Sequence, residues 1–131
     1  MSERSVLIVE DDLNIGKLIK NLLTGHGIET ETATDGLMAL ERLGQITPGL
    51  VILDLALPLV DGWEVLNTLR QAGRSVPVII VTAHGQGEGA NRALAAGADR
   101  FFEKPFEPTQ LIEAVLELLA ETNGSKPALE D

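Results

Sequence analysis

Four apolar runs of the sequence end in polar side chains that could take part in metal or group-transfer chemistry. These side chains are two adjacent carboxylates, a third carboxylate, a hydroxyl and an ammonium group: Asp11 and Asp12, Asp54, Thr82 and Lys104. Two carboxylates about 4 Å apart repel by roughly 4 kcal/mol at an effective dielectric constant of about 20. Without a cation, one of them is expected to keep its proton. A hard divalent cation removes this conflict, and Mg²⁺ binds a few carboxylate oxygens, keeps water ligands and often binds a phosphate oxygen.

Each of these residues also has an ordinary structural interpretation. Asp11 or Asp12 could cap a helix, and Asp54 could cap a turn. Thr82 suits a β-strand, and Lys104 could be a solvated surface charge. The four interpretations are individually reasonable, but a single shared site explains why all of these side chains follow apolar runs.

The apolar runs predict five β-strands with helices between them. The strands are expected at Ser5–Glu10, Glu29–Ala33, Leu50–Leu55, Val76–Thr82 and Arg100–Glu103. The first, third and fourth runs are apolar at consecutive positions, as expected for parallel strands that are covered on both faces. Helices are predicted after Asp12, from about Asp35 to Gly44, from Asp61, and from Pro108. A stretch with Gly85, Gly87 and Gly89 at its start predicts a weakly held fourth helix, since glycine and alanine stabilise and bury little.

This alternation predicts an α/β fold with an open parallel sheet, helices on both faces and right-handed crossovers. In such folds, ligands bind beyond the carboxyl ends of the strands. The polar residues listed above follow four of the predicted strands, so they should meet at that edge of the sheet.

Composition narrows the function classes. The 131 residues carry 20 acidic and 10 basic side chains, for a formal charge of −10, and contain no cysteine. No Lys/Arg cluster that could neutralise phosphates is present, which argues against direct binding of nucleic acid by this chain. No apolar run is long enough for a membrane span, and no thiol chemistry is available. These features suit the cytoplasm.

The sequence lacks the motifs of two other classes of protein, one of enzymes and one of cofactor-binding modules. An aspartate-nucleophile phosphohydrolase needs a second acid two residues after the nucleophile, where this chain has Ala56. A nucleotide- or flavin-binding module would be expected to carry G-x-G-x-x-G after the first strand or a Walker A sequence, and neither occurs.

The segments "VLIVEDD", "VILDLALPLVDGWEVL", "VPVIIVTAHG" and "AGADRFFEKPFEP" occur in the order and spacing of a known family. The chain resembles the receiver domain of two-component response regulators over about residues 4–120, with 121–131 as a flexible tail or the start of a linker. The resemblance implies a flavodoxin-like (βα)5 doubly wound sandwich with a five-stranded parallel sheet in order 2-1-3-4-5. Leu59 departs from the family, which usually has glycine there.

The resemblance also implies a role for each site residue. Asp54 would be the phosphoacceptor. Asp12, Asp54 and the backbone carbonyl of Ala56 would bind Mg²⁺ directly, and Asp11 would act mainly through a bound water. Thr82, the amide of Ala83 and Lys104 would contact the phosphoryl group, with a cis Lys104–Pro105 bond. Thr82 and Phe101 would form a two-residue switch.

The implied function is Mg²⁺-dependent transfer of a phosphoryl group to Asp54 from a sensor histidine kinase or a phosphotransfer protein. Phosphorylation would switch the surface of helix 4, strand 5 and helix 5 for contact with a downstream protein or a fused effector domain. Such a domain is not a conventional enzyme, although it catalyses its own phosphorylation and dephosphorylation. No nucleic acid and no membrane are expected as partners, and dimerisation is left open. The alternative is a phosphate-independent receiver that acts as a docking module.

Overall fold

Five strands alternate with five helices along the chain. The computed structural model describes residues 5–83 and 89–122. The elements are β1 Ser5–Val9, α1 Leu13–Thr24, β2 Glu29–Ala33, α2 Gly36–Leu43, β3 Leu50–Leu53, α3 Gly62–Gln71, β4 Val78–Thr82, α4 Gly89–Ala95, β5 Arg100–Glu103 and α5 Pro108–Thr122. Gly85, Gly87 and the tail from residue 123 onwards lie outside the described residues.

The strands form one sheet in the order β2-β1-β3-β4-β5, and each neighbouring pair is parallel. The predicted fold class and strand order are therefore confirmed. β4 begins at Val78, two residues later than the apolar run suggests. Pro77 has no N–H to donate to a ladder, although its carbonyl still accepts a hydrogen bond from the amide of Val51 at 2.9 Å.

Two apolar cores cover the two faces of the sheet because successive side chains of a strand point in opposite directions. On β1, Leu7 and Val9 pack with residues of α2, α3 and α4. Val6 and Ile8, on the opposite face, pack with residues of α1 and α5. The helices are thus divided between the faces, as in a doubly wound fold.

Aspartates fix the start of three helices. Asp12, Asp35 and Asp61 are the N-caps of α1, α2 and α3, and their side chains accept hydrogen bonds from amides of the first turn. The Asp61 cap, whose Oδ1 accepts the Glu64 N–H at 2.9 Å, was predicted from the sequence. Among the helices of the described ranges, none is both long and apolar enough to cross a bilayer.

Candidate functional site

The carboxyl ends of β1 and β3 lie side by side and bring two acidic residues together. Val9 pairs with Leu53 in the sheet, and the amide of Asp54 donates to the Val9 carbonyl at 3.0 Å. Glu10 and Asp54 each come directly after these strands, and both are buried, with 4 % exposure. Two acids therefore sit at the edge of the sheet with little access to water.

Lys104 lies between these two carboxylates. Its Nζ is 2.9 Å from Asp54 Oδ2 and 2.8 Å from Glu10 Oε1, and its side chain is only 15 % exposed. The remaining carboxylate oxygens also have donors: Asp54 Oδ1 accepts the Ala56 N–H at 3.1 Å, and Glu10 Oε2 accepts the Asp12 N–H at 3.1 Å. One ammonium group thus balances part of a doubly acidic pocket, and four hydrogen bonds fix the geometry of its carboxylates.

The charges of this pocket depend on one another. Burial raises the pKa of Glu10 from an ordinary 4.5 to about 7, and the nearby Asp54 charge adds to this, although Lys104 and the Asp12 amide oppose it. Burial alone would lower the pKa of Lys104, but its hydrogen bonds to Glu10 and Asp54 outweigh that cost and the pKa is raised. Lys104 therefore remains a cation, whereas Glu10 titrates close to neutral pH.

Three carboxylates at this edge lie close enough together to hold a metal ion. Glu10, Asp11 and Asp54 each offer an oxygen, and the three oxygens lie within 4.8 Å of one another. An exposed acid beside two buried ones gives an all-oxygen donor set that is open to water, which suits Mg²⁺.

Asp12 does not join this group in the structure. Its Oδ1 caps α1, accepting hydrogen bonds from the amides of Asn14 at 2.9 Å and Ile15 at 3.2 Å. Glu10 takes the place that the sequence analysis gave to Asp12, and it was missed as a site residue. The position of the acids in the sequence could have identified Glu10, because the acid immediately before a helical pattern is the usual N-cap. Assigning Asp12 to the cap leaves Glu10 and Asp11 for the site.

Thr82 and Ala83 lie at the same edge of the sheet, whereas Phe101 lies within β5. Thr82 is fully buried at the end of β4, and Ala83 after it is exposed. The Lys104 amide donates to the Thr82 carbonyl at 2.9 Å, which ties the end of β5 to the end of β4. The Lys104–Pro105 bond is cis, as expected from the resemblance. Phe101 is half-buried in β5 and packs against the core on the α2–α4 face.

The first residue of α3 holds the start of the loop that follows Asp54. The Gly62 amide donates to the Leu55 carbonyl at 2.9 Å, and a Cβ atom on Gly62 would lie 2.2 Å from the Asp54 carbonyl oxygen. Further along the loop, the Val60 amide bonds to the Pro58 carbonyl at 2.8 Å across Leu59, whose φ is 70°. This is the γ-turn with positive φ, which is strained for a residue with a side chain.

Comparison with known proteins gives consistent results. A family model described as the response regulator receiver domain matches residues 6–116. The "Probable transcriptional regulatory protein SilR" of Salmonella typhimurium is 38% identical over 118 residues, which are 90% of this chain and 52% of that protein. The "DNA-binding response regulator MtrA" of Mycobacterium tuberculosis strain H37Rv is 35% identical over 123 residues, 94% of this chain and 53% of that protein. The receiver domain of the Francisella response regulator 1452 superposes with a TM-score of 0.88 at 33% identity, covering 91% of this chain and 98% of that one.

These names correct the prediction about partners. Nucleic acid was not expected as a partner because the chain has no Lys/Arg cluster, yet relatives of this chain include a protein named as a DNA-binding response regulator. The chain spans about half the length of SilR and MtrA, at 52% and 53%. The acidic composition of this segment therefore does not exclude nucleic acid as a partner of such proteins, and that part of the prediction was wrong.

Proposed function

The chain belongs to the response regulator receiver domain family, and from this premise we propose that it accepts a phosphoryl group on Asp54. The donor would be phosphohistidine on a sensor kinase or phosphotransfer protein, or a small phosphodonor. The single observation that carries the proposal is Lys104 Nζ at 2.9 Å from Asp54 and 2.8 Å from Glu10, beside the carboxylate of Asp11.

The residues supply the parts that phosphoryl transfer needs. A carboxylate oxygen of Asp54 attacks phosphorus in line, forming an O–P bond as the bond from phosphorus to the donor nitrogen or oxygen breaks. The Lys104 ammonium, already within hydrogen-bond distance of Asp54, balances charge on the transferred oxygens. Thr82 and the Ala83 amide, at the end of the neighbouring β4, would contact the same group. In this sense the domain catalyses its own phosphorylation and later dephosphorylation.

The acidic group fits Mg²⁺. Asp11 and Asp54 would hold the ion with the Ala56 backbone carbonyl. The buried carboxylate of Glu10 would add negative charge beside the ion. When bound, Mg²⁺ neutralises carboxylate and phosphoryl oxygens that would otherwise repel one another. Asp12 is left to its role as the helix cap.

Phosphorylation would be converted into a change of surface. The new group would add a charge of about −2 near Thr82. In the sheet, Thr82 pairs with Glu103, and the half-buried Phe101 lies two residues before Glu103 on the same strand. A shift of Thr82 toward the phosphoryl group would free space for the Phe101 side chain. The surface of α4, β5 and α5 would change with it and serve protein–protein signalling.

The test is intact-mass analysis after incubation with acetyl phosphate and Mg²⁺. Wild type is expected to gain one hydroxylamine-labile phosphoryl group, and Asp54→Asn is expected to gain none. A folded wild type that gains no adduct would contradict the assignment and leave the phosphate-independent docking module. An equal adduct on Asp54→Asn would also contradict it, because the phosphoryl group would then be on another residue.

A matched pair of variants tests the metal ligands. Asp11→Asn should weaken Mg²⁺ binding by at least about tenfold, since a ligand carboxylate becomes a neutral amide. Asp12→Asn should leave Mg²⁺ affinity nearly unchanged, because asparagine is an equally good N-cap. Isothermal titration with Mg²⁺ measures both, and the reverse ranking would restore Asp12 as the ligand.

A further inference from the structure

Within the described residues, helix α4 buries little apolar surface against the rest of the domain. It has seven residues, and among them only Ala93 is buried. Leu94, the largest apolar side chain of the helix, is 46 % exposed. Burial of one alanine contributes little free energy, so the position of α4 depends on the polar and aromatic contacts at its surface.

One such contact joins α4 to α3. The guanidinium carbon of Arg92 lies 4.2 Å from the centroid of the Trp63 ring, a close cation–π geometry. Trp63 is half-buried and packs against the core shared by α2, α3 and α4. The ring is thus held by packing against the core, and the exposed Arg92 side chain lies over it.

Trp63 also connects to the phosphoacceptor loop. It follows Gly62, whose amide binds the Leu55 carbonyl at 2.9 Å and whose Cα lies too close to Asp54 for a side chain. Trp63 further lines a surface cavity together with Asp11 and Ala56. A displacement of the Asp54 backbone would therefore move Gly62, which is packed tightly against it, and with Gly62 the adjacent Trp63 indole.

The C-terminal end of α4 is anchored separately. Arg70 donates from Nε at 3.0 Å and from Nη2 at 2.8 Å to the Gly97 carbonyl. Gly97 has a φ of 111° and would bring a Cβ to 2.9 Å from Arg70, so this turn is fitted closely to the guanidinium. Loss of the Arg92 contact would leave this end in place and free the body of the helix.

We propose that Arg92 and Trp63 form a latch that holds α4 against α3 in the unphosphorylated domain and couples its position to the Asp54 loop. The first claim, the holding part, is that the pair keeps α4 against α3, and it is argued from the contacts above. The second claim, the coupling part, is that phosphorylation of Asp54 opens the latch, and it rests on the proposed function.

Amide hydrogen exchange of the unphosphorylated protein tests the holding part. Arg92→Gln should speed exchange of α4 amides about two- to fivefold, the range expected for loss of an exposed cation–π contact, while α1 amides stay unchanged. Arg92→Lys should give a smaller effect because it keeps the cation. Arg100→Gln is the matched control, since Arg100 pairs with Glu117 on α5 at 3.3 Å. Equal α4 exchange in Arg92→Gln and Arg100→Gln would overturn the latch.

A double-mutant cycle shows whether the two side chains act as a pair. Trp63→Leu should speed α4 exchange as much as Arg92→Gln does, and the double variant should add nothing further. Additive effects would mean that the two residues act independently and would refute the pairing. The chain has a single tryptophan, so a change of emission in Arg92→Gln reports the same contact without exchange.

Phosphorylated protein tests the coupling. After acetyl phosphate and Mg²⁺, with occupancy read by intact mass, wild-type α4 should exchange as fast as unphosphorylated Arg92→Gln, and phosphorylated Arg92→Gln should show no further increase. A full phosphoryl adduct with unchanged α4 exchange in wild type would refute the coupling alone. Absence of the adduct would instead refute the proposed function, and the unphosphorylated comparison would still decide on the latch.

Discussion

The buried carboxyl group of Glu10 should make the domain lose stability as the pH rises toward neutrality. The pKa of this group is about 7 in the folded chain against an ordinary 4.5. An acid with a raised folded-state pKa binds its proton more tightly when folded, so the free energy of unfolding falls as the pH rises between these two values. The stabilisation is complete below about pH 4.5 and lost above about pH 7.

The size of the effect follows from the same two values. Each pKa unit corresponds to about 1.4 kcal/mol, so a rise from 4.5 to about 7 corresponds to roughly 3–4 kcal/mol at most. The side chain is only 3 % exposed, so solvent screening reduces this little. Glu10→Gln has nearly the same shape as the protonated acid and cannot ionise. It should match wild type near pH 4.5 and exceed it by roughly 1–3 kcal/mol at pH 8, the lower end reflecting a weaker hydrogen bond to Lys104.

Urea unfolding from about pH 4.5 to pH 8 in EDTA measures this difference, with far-UV circular dichroism as the signal. Glu113→Gln, which changes an exposed glutamate of α5, is the matched control and should follow wild type throughout. A constant gap between wild type and Glu10→Gln across this range, or a variant that is less stable at pH 8, would refute the account of the pocket.

Three further substitutions test local features of the site. Asp12→Ala should lower the free energy of unfolding by about 1 kcal/mol through loss of the α1 cap, with Mg²⁺ affinity unchanged; a large loss of affinity would contradict the cap assignment. Gly62→Ala should cost about 2 kcal/mol or more in urea unfolding and slow phosphorylation, because its Cβ would meet the Asp54 carbonyl at 2.2 Å. Leu59→Gly should change stability by less than about 0.5 kcal/mol, since relief of the strained φ offsets the entropy of glycine, whereas Leu59→Val should lose about 1 kcal/mol; equal losses would argue against a strained turn.

Much of the architecture could be predicted from local pattern. Consecutive apolar residues indicated buried parallel strands, and β2 and β5 were predicted with the bounds that the structure has. The N-cap Asp61 and the helix start at Pro108 followed from the chemistry of helix termini. Such features are set by residues close together in sequence, so the sequence contains the information needed to place them.

Which acids form the site was decided only by the tertiary structure. Glu10, Asp11 and Asp12 are consecutive, and a shift of one residue changes which side chain turns inward and which caps α1. Lys104 is 50 residues from Asp54, and only the order β3-β4-β5 brings its ammonium group to that carboxylate. The sequence by itself determined that acids and a lysine end the strands of an α/β sheet. The burial of Glu10, its raised pKa and its pairing with Lys104 arise from long-range packing, which excludes water from one carboxylate and leaves its neighbour in solvent.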